Sequence, residues 1–174
     1  RWLPMGVSNR VTPPNVKIGE TVMIYNYAGT DEYFWEDYEA EPGLRKEEKV
    51  MYFFSNKKEK DDSSGWLSKG YYTLVDTINK VVKLFTSDNN GEYTTYNIQI
   101  NTREGSMVVE DGKGNHIKLK STDDTWDISS NNVINITGTN TVNIDTIECN
   151  ITTTNCNLTA TGAFVVKSGT TKIN

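Results

Sequence analysis

The sequence predicts an all-β protein in two parts, a small barrel followed by a repeating β-helix or β-prism. Three observations carry this. Short runs of aromatic and β-branched residues, punctuated by Gly, Asn and Asp, fill the first 130 or so residues; charge almost disappears after residue 132; and an apolar–Asn–apolar triplet recurs from Ile134 onward.

Residues 1–78 read as five strands with turns between them. A first strand is expected around Arg1–Met5. Thr21-Val22-Met23-Ile24-Tyr25 follows the turn signal Gly19-Glu20, and Tyr33-Phe34-Trp35 follows Gly29-Thr30-Asp31. Val50-Met51-Tyr52-Phe53-Phe54 ends at Ser55-Asn56, and Tyr71-Tyr72-Thr73-Leu74-Val75 follows Lys69-Gly70. Runs of this length and type are the strand signature. A closed or nearly closed barrel hides five short strands with few open edges. Between Tyr38 and Lys49 the Glu, Lys and Arg residues allow one short turn of helix, starting near Leu44 because Pro42-Gly43 breaks anything longer.

Residues 79–130 read as a meander. Val81–Phe85, Tyr96–Ile100, Met107–Glu110, Ile117–Leu119 and Trp126–Ile128 are strands, separated by turns at Asp88–Gly91, Arg103–Gly105 and Asp111–Asn115. Their alternation of period two places one face against a core and the other in water.

The triplet repeat begins as Ile134-Asn135-Ile136, Val142-Asn143-Ile144, Cys149-Asn150-Ile151 and Cys156-Asn157-Leu158, and continues as Phe164-Val165-Val166 and Thr171-Lys172-Ile173. Starts lie seven or eight residues apart, which raises the coiled-coil alternative. Residue type rejects it. Apolar residues at i and i+2 share a strand face and not a helix face, and Thr and Asn are poor helix formers. Each unit is a strand of about three residues and a turn, the mark of a β-solenoid or β-prism. Inward positions are Ile134, Ile136, Val142, Ile144, Cys149, Ile151, Cys156, Leu158, Phe164, Val166 and Ile173. One chain offers only a thin apolar ridge and leaves main-chain groups of every short strand without partners. Several identical chains wound about one axis answer both needs, and three is the smallest number that encloses an axis.

Composition narrows the function classes. The formal charge of −5 belongs wholly to residues 1–132, because Asp145, Glu148, Lys167 and Lys172 cancel in the rest. That balance opposes a nucleic-acid binder, which needs clustered Lys and Arg. One His and two Cys exclude zinc-finger patterns and a multi-disulfide framework. No apolar run approaches the roughly 18 residues of a membrane helix. Arg1-Trp2-Leu3-Pro4 carries no signal-peptide pattern and no initiator Met, so a fragment of a longer chain is allowed.

The stretch Gly105-Ser106-Met107-Val108-Val109-Glu110-Asp111-Gly112-Lys113-Gly114-Asn115-His116-Ile117-Lys118-Leu119, leading into the rungs, resembles the entry to the triple-stranded β-helix of central spike proteins in contractile phage tails and the related type VI secretion spikes. Gly19-Glu20-Thr21-Val22-Met23-Ile24 resembles a strand of their OB-fold, with Ser8–Pro14 in the loop before it. The resemblance covers nearly the whole chain and rests on patterns more than invariant signatures. It implies an N-terminal OB-fold-like small barrel over 1–78. After it, a meander over 79–174 leads into an intertwined trimeric β-helix/β-prism with rungs from about 133. It implies a homotrimeric, non-enzymatic structural protein of the virion tail baseplate. A hub protein would meet the OB end, and sheath contraction would drive the needle through the host outer membrane. Some relatives hold iron at the tip through a His-x-His site. This chain has only His116, far from its end, so no cofactor is expected. Its last rung, Ile173-Asn174, has no apex residues, so the tip is expected on further residues or on a separate capping protein. Relatives with a lysozyme domain after the barrel have no counterpart here.

Other chemical candidates have plainer readings. Cys149 and Cys156 repeat one rung position and read as interior thiols; a disulfide stays open, and neighbouring metal ligands are lacking. His116 reads as a half-exposed surface residue. Asp123, Asp124 and Asp127 offer carboxylates for glycoside hydrolysis, but Asp123-Asp124 reads more simply as a turn before Trp126. Lys57–Asp62 is a solvated loop. Tyr25, Tyr27, Phe34 and Trp35 sit among Asp31, Glu32, Glu36 and Asp37, which suits core packing or a protein interface better than single-stranded nucleic acid. The sequons at Asn135, Asn150 and Asn157 follow from composition. A carbohydrate-binding tail fibre or adhesin, and less so a β-helical polysaccharide depolymerase, are the competing functions.

Overall fold

The computed structural model describes residues 1–4, 8–39, 48–55, 65–89, 91–163, 165 and 167. It is all-β, with strands in two antiparallel sheets. The chain divides into two compact units, Arg1–Asn135 and Ile136–Asn174.

In the first unit, β1 (Thr21–Asn26) and β2 (Tyr33–Glu39) form a hairpin. Its turn closes through the Thr30 amide on the Tyr27 carbonyl at 3.0 Å and Asn26 Nδ2 on the Thr30 carbonyl at 2.8 Å. Gly29 stands at φ 82°, a conformation glycine adopts without strain. The strand expected at Arg1–Met5 is reduced to one parallel bridge, Trp2 to Trp35, with the Leu3 amide on the Trp35 carbonyl at 2.8 Å. Met5 lies outside the described residues.

The second sheet is a seven-stranded meander in chain order. Its strands are β3 (Lys49–Phe54), β4 (Tyr71–Asp76), β5 (Val81–Thr86), β6 (Tyr96–Asn101), β7 (Ser106–Asp111), β8 (His116–Lys120) and β9 (Thr125–Ser129). The position expected to separate barrel from meander, residue 78, lies in the β4–β5 turn, and the ladder runs on unbroken from Tyr72↔Phe85 to Asp76↔Val81.

Short polar side chains end strands and close the turns by accepting from the main chain ahead of them. Asp76 Oδ1 takes the Asn79 amide at 2.9 Å. Asn101 Oδ1 takes the amides of Arg103 and Glu104 at 3.1 and 3.2 Å. Asp111 Oδ1 takes those of Lys113 and Asn115 at 2.9 and 3.0 Å. Ser121–Asp124 makes the last turn, with Asp124 at φ 53° and Asp123 paired to Lys120.

A single 3-10 turn, Trp66–Lys69, precedes β4, and no periodicity announces it. Gly70 follows it at a close approach: a Cβ there would lie 2.3 Å from the Phe53 ring and 2.6 Å from the Phe54 carbonyl oxygen. Of the helical turn expected between Tyr38 and Lys49, Tyr38 belongs to β2 and Lys49 to β3, and residues 40–47 lie outside the described residues. So does Lys57–Asp62.

The outer edge of β3 is strapped by residues 9–17. The Val11 amide bonds the Met51 carbonyl at 2.9 Å, the Phe53 amide bonds the Asn9 carbonyl at 2.8 Å, and Lys17 Nζ reaches Glu48 at 2.6 Å. On one face of the sheet Tyr72 and Phe85 stack with centroids 5.2 Å apart. Burial is nonetheless sparse. Among the described residues only Met51 and Tyr72, at 7% and 8% exposure, are buried large hydrophobic side chains.

In the second unit the described residues form no strand, and the chain bends at Thr139-Asn140, Ile147, Thr154 and Thr161-Gly162, between the triplets. The bends repeat in detail. Thr146 Oγ1 donates to the Glu148 carbonyl at 3.0 Å, and Thr153 Oγ1, seven residues on, donates to the Asn155 carbonyl at 2.9 Å. The physical repeat therefore coincides with the sequence repeat.

Candidate functional site: an uncovered apolar sheet face

The register of the meander builds a surface that no single strand reveals. Cross-strand partners align as Val50, Val75, Val82, Ile100, Met107, Leu119 and Trp126, one from each of the seven strands. A second row on the same face runs Tyr52, Thr73, Leu84, Ile98, Val109, Ile117 and Ile128. Side chains directly opposite one another on one face are in contact range, so each row is a continuous ridge.

The other face changes character along the sheet. Over β3–β5 it carries Met51, Phe53, Tyr72, Leu74 and Phe85, with Lys83 over the rings of Tyr72 and Phe85. Over β6–β9 the matching positions are Asn97, Gln99, Val108, Glu110, His116, Lys118, Asp127 and Ser129. Apart from Val108, one side of β6–β9 is thus polar, and both rows on the other side are apolar over these strands.

That apolar side is uncovered. Val82, Leu84, Ile98, Ile100, Met107, Val109, Ile117, Trp126 and Ile128 are between 38% and 72% exposed. Seven strands spaced about 4.8 Å make the rows about 29 Å long, and two rows cover on the order of 400 Å². That is about the size of the largest apolar patch on a typical monomer, and such patches are often functional. The face extends past β9: Val133 and Ile134 join Tyr96, Val109, Ile117 and Ile128 around a shallow groove at the end of the sheet.

Every described residue expected to face inward in the repeat is exposed in the single chain. Ile136 and Ile144 are each 75% exposed, with Ile134, Val142, Ile151 and Leu158 also open. Cys149 and Cys156 are free and exposed. Phe164, Val166 and Ile173 lie outside the described residues.

Other candidates take definite places. Asp127 pairs with His116, Nε2 to Oδ2 at 3.0 Å, a partner that sequence spacing does not disclose. That contact, then the Gly114 carbonyl, raises the histidine's pKa. Asp123 and Asp124 lie in the β8–β9 turn. Tyr25 donates to Glu36 across β1–β2, which raises its phenol pKa. Tyr27 and Phe34 meet edge to face at 5.3 Å. Among the described residues no three His, Cys, Asp or Glu side chains gather as a metal site, and no helix is long and apolar enough to cross a membrane.

Sequence reasoning found the strands and missed the face. The signal was present, since pairing the strands turn by turn brings the alternating apolar positions into one row. No protein-family model matches this chain, and no curated protein matches it.

Proposed function

We propose that this chain is the central spike of a contractile phage tail baseplate, a homotrimeric needle that pierces the host outer membrane when the sheath contracts. The observation that carries the reading is the apolar face of the meander, uncovered in one chain and continued at Val133 and Ile134 by the first rung of the repeat. Three copies turn their faces and rungs toward a common axis, and each short rung pairs its main chain with a neighbour's. The β1–β2 hairpin, the 9–17 strap and the start of the meander supply the OB-fold-like head that docks on a baseplate hub.

Function in this reading is mechanical. Work comes from the sheath, and the needle contributes stiffness: interlocked strands from three chains share each layer, so no rung opens alone. The neutral Thr/Asn exterior passes through a membrane without carrying charge into it. No catalytic group is required. Electron micrographs of the purified chain test this directly. The reading predicts a narrow rod with a wider head; small globular particles overturn it.

A further inference from the structure

His116, the chain's one histidine, opens β8 just after the turn Asp111–Asn115. Its ring lies between two acceptors. Nδ1 is 3.2 Å from the Gly114 carbonyl oxygen, and Nε2 is 3.0 Å from Asp127 Oδ2 on β9. A neutral imidazole has one N–H, so it satisfies one acceptor and turns a lone pair toward the other; only the imidazolium donates to both.

The same turn grips the chain just past β9. The Asn131 amide donates to Asn115 Oδ1 at 2.8 Å, and Asn131 Nδ2 donates to the Lys113 carbonyl. Asn115 is held in turn by Asp111, Nδ2 to Oδ2 at 2.7 Å. β9 ends the sheet and pairs only with β8 among the described residues, so these side-chain contacts reinforce a single five-residue ladder.

We propose that the His116–Asp127 contact is a proton-operated latch on the edge strand β9, closed by the imidazolium and weakened when it loses its proton. The groups facing the ring are of both signs. Asp127 comes from β9, and Glu110, directly opposite on β7, adds negative charge while accepting from Asn97 Nδ2 at 2.8 Å. Lys118, two residues along β8, opposes the charge, and Ser129 opposite on β9 is neutral. Because the histidine's folded pKa is raised, the latch is fully closed below the unfolded value near ~6.5 and opens as pH rises through the higher folded value. This does not depend on the oligomeric reading above.

Hydrogen exchange of the full chain, corrected for intrinsic rates, tests it. From pH 6 to pH 8 the amides of β9 should lose protection several-fold while those of β6 keep theirs, and His116→Gln and Asp127→Asn should each abolish the difference. Unchanged β9 protection in the native chain, or a drop that persists in His116→Gln, overturns the proposal. Ring titration by NMR gives a second readout: the midpoint should fall in Asp127→Asn, and identical midpoints overturn the latch as well.

Discussion

Ile100→Asp should dissolve the assembly and leave the subunit folded. Ile100 sits mid-row between Val82 and Met107 and is 40% exposed in the single chain. Full burial of such a side chain is worth about 1.5–3 kcal/mol, so covering the remaining part adds about 0.6–1.2 kcal/mol per copy. Over the nine exposed side chains of β5–β9 the same reasoning gives an upper value of about 6–13 kcal/mol per chain. A carboxylate in the dry interface costs several kcal/mol in every copy at once. In the free subunit the same carboxylate reaches water, so the fold is spared. Gln99→Asp is the control: it lies on the opposite face, across from Lys83, where a carboxylate meets an ammonium. Sedimentation velocity should show native-sized Gln99→Asp and monomeric Ile100→Asp, both with the native β circular dichroism spectrum. Equal sedimentation of the two variants would refute the assignment of the interface to this face.

In the repeat, Ile144→Asp should abolish assembly while Asn143→Asp is tolerated, as gel filtration will show, because the proposed trimer turns only position 144 of the pair inward. Gly70→Ala should destabilise by about 1–3 kcal/mol, since the new Cβ overlaps the Phe53 ring and the fixed Phe54 carbonyl; a denaturant midpoint measures it. Acid should weaken the seven-stranded sheet through Asp76 and Asp111. Asp76 is held below the usual carboxylate range by the amide and side chain of Asn79 and then Lys49; Asp111 is held there by the Asn115 side chain and then the turn amides. Both contributions are complete above the unfolded value near ~3.9 and disappear as pH falls through the lower folded values. Urea midpoints at pH 5 and pH 2.5 should therefore differ, and Asp76→Asn should narrow the gap.

Much of the fold was legible in the residues, because strands announce themselves by type and turns by Gly, Asn and Asp. Val81–Phe85, Tyr96–Ile100 and Met107–Glu110 fall within strands of six residues each. The sheet's continuity from β4 into β5 was not legible. Lys80, in that turn at φ 60°, carries no sequence signal for a tight hairpin. The 3-10 turn at Trp66–Lys69 is too short to show a period. Alternation told which residues share a face within one strand, but only the register between strands showed that Val50 and Trp126 end one row. His116 looked solitary because its partner lies eleven residues away on a neighbouring strand, in reach only once Lys118↔Asp127 is paired.

The account stands on one requirement, that these apolar rows and rungs are covered by further copies of the same chain. Light scattering on the purified chain at micromolar concentration measures this most directly. It should return the mass of three chains, and a stable single-chain mass with all of the β structure retained would contradict the account.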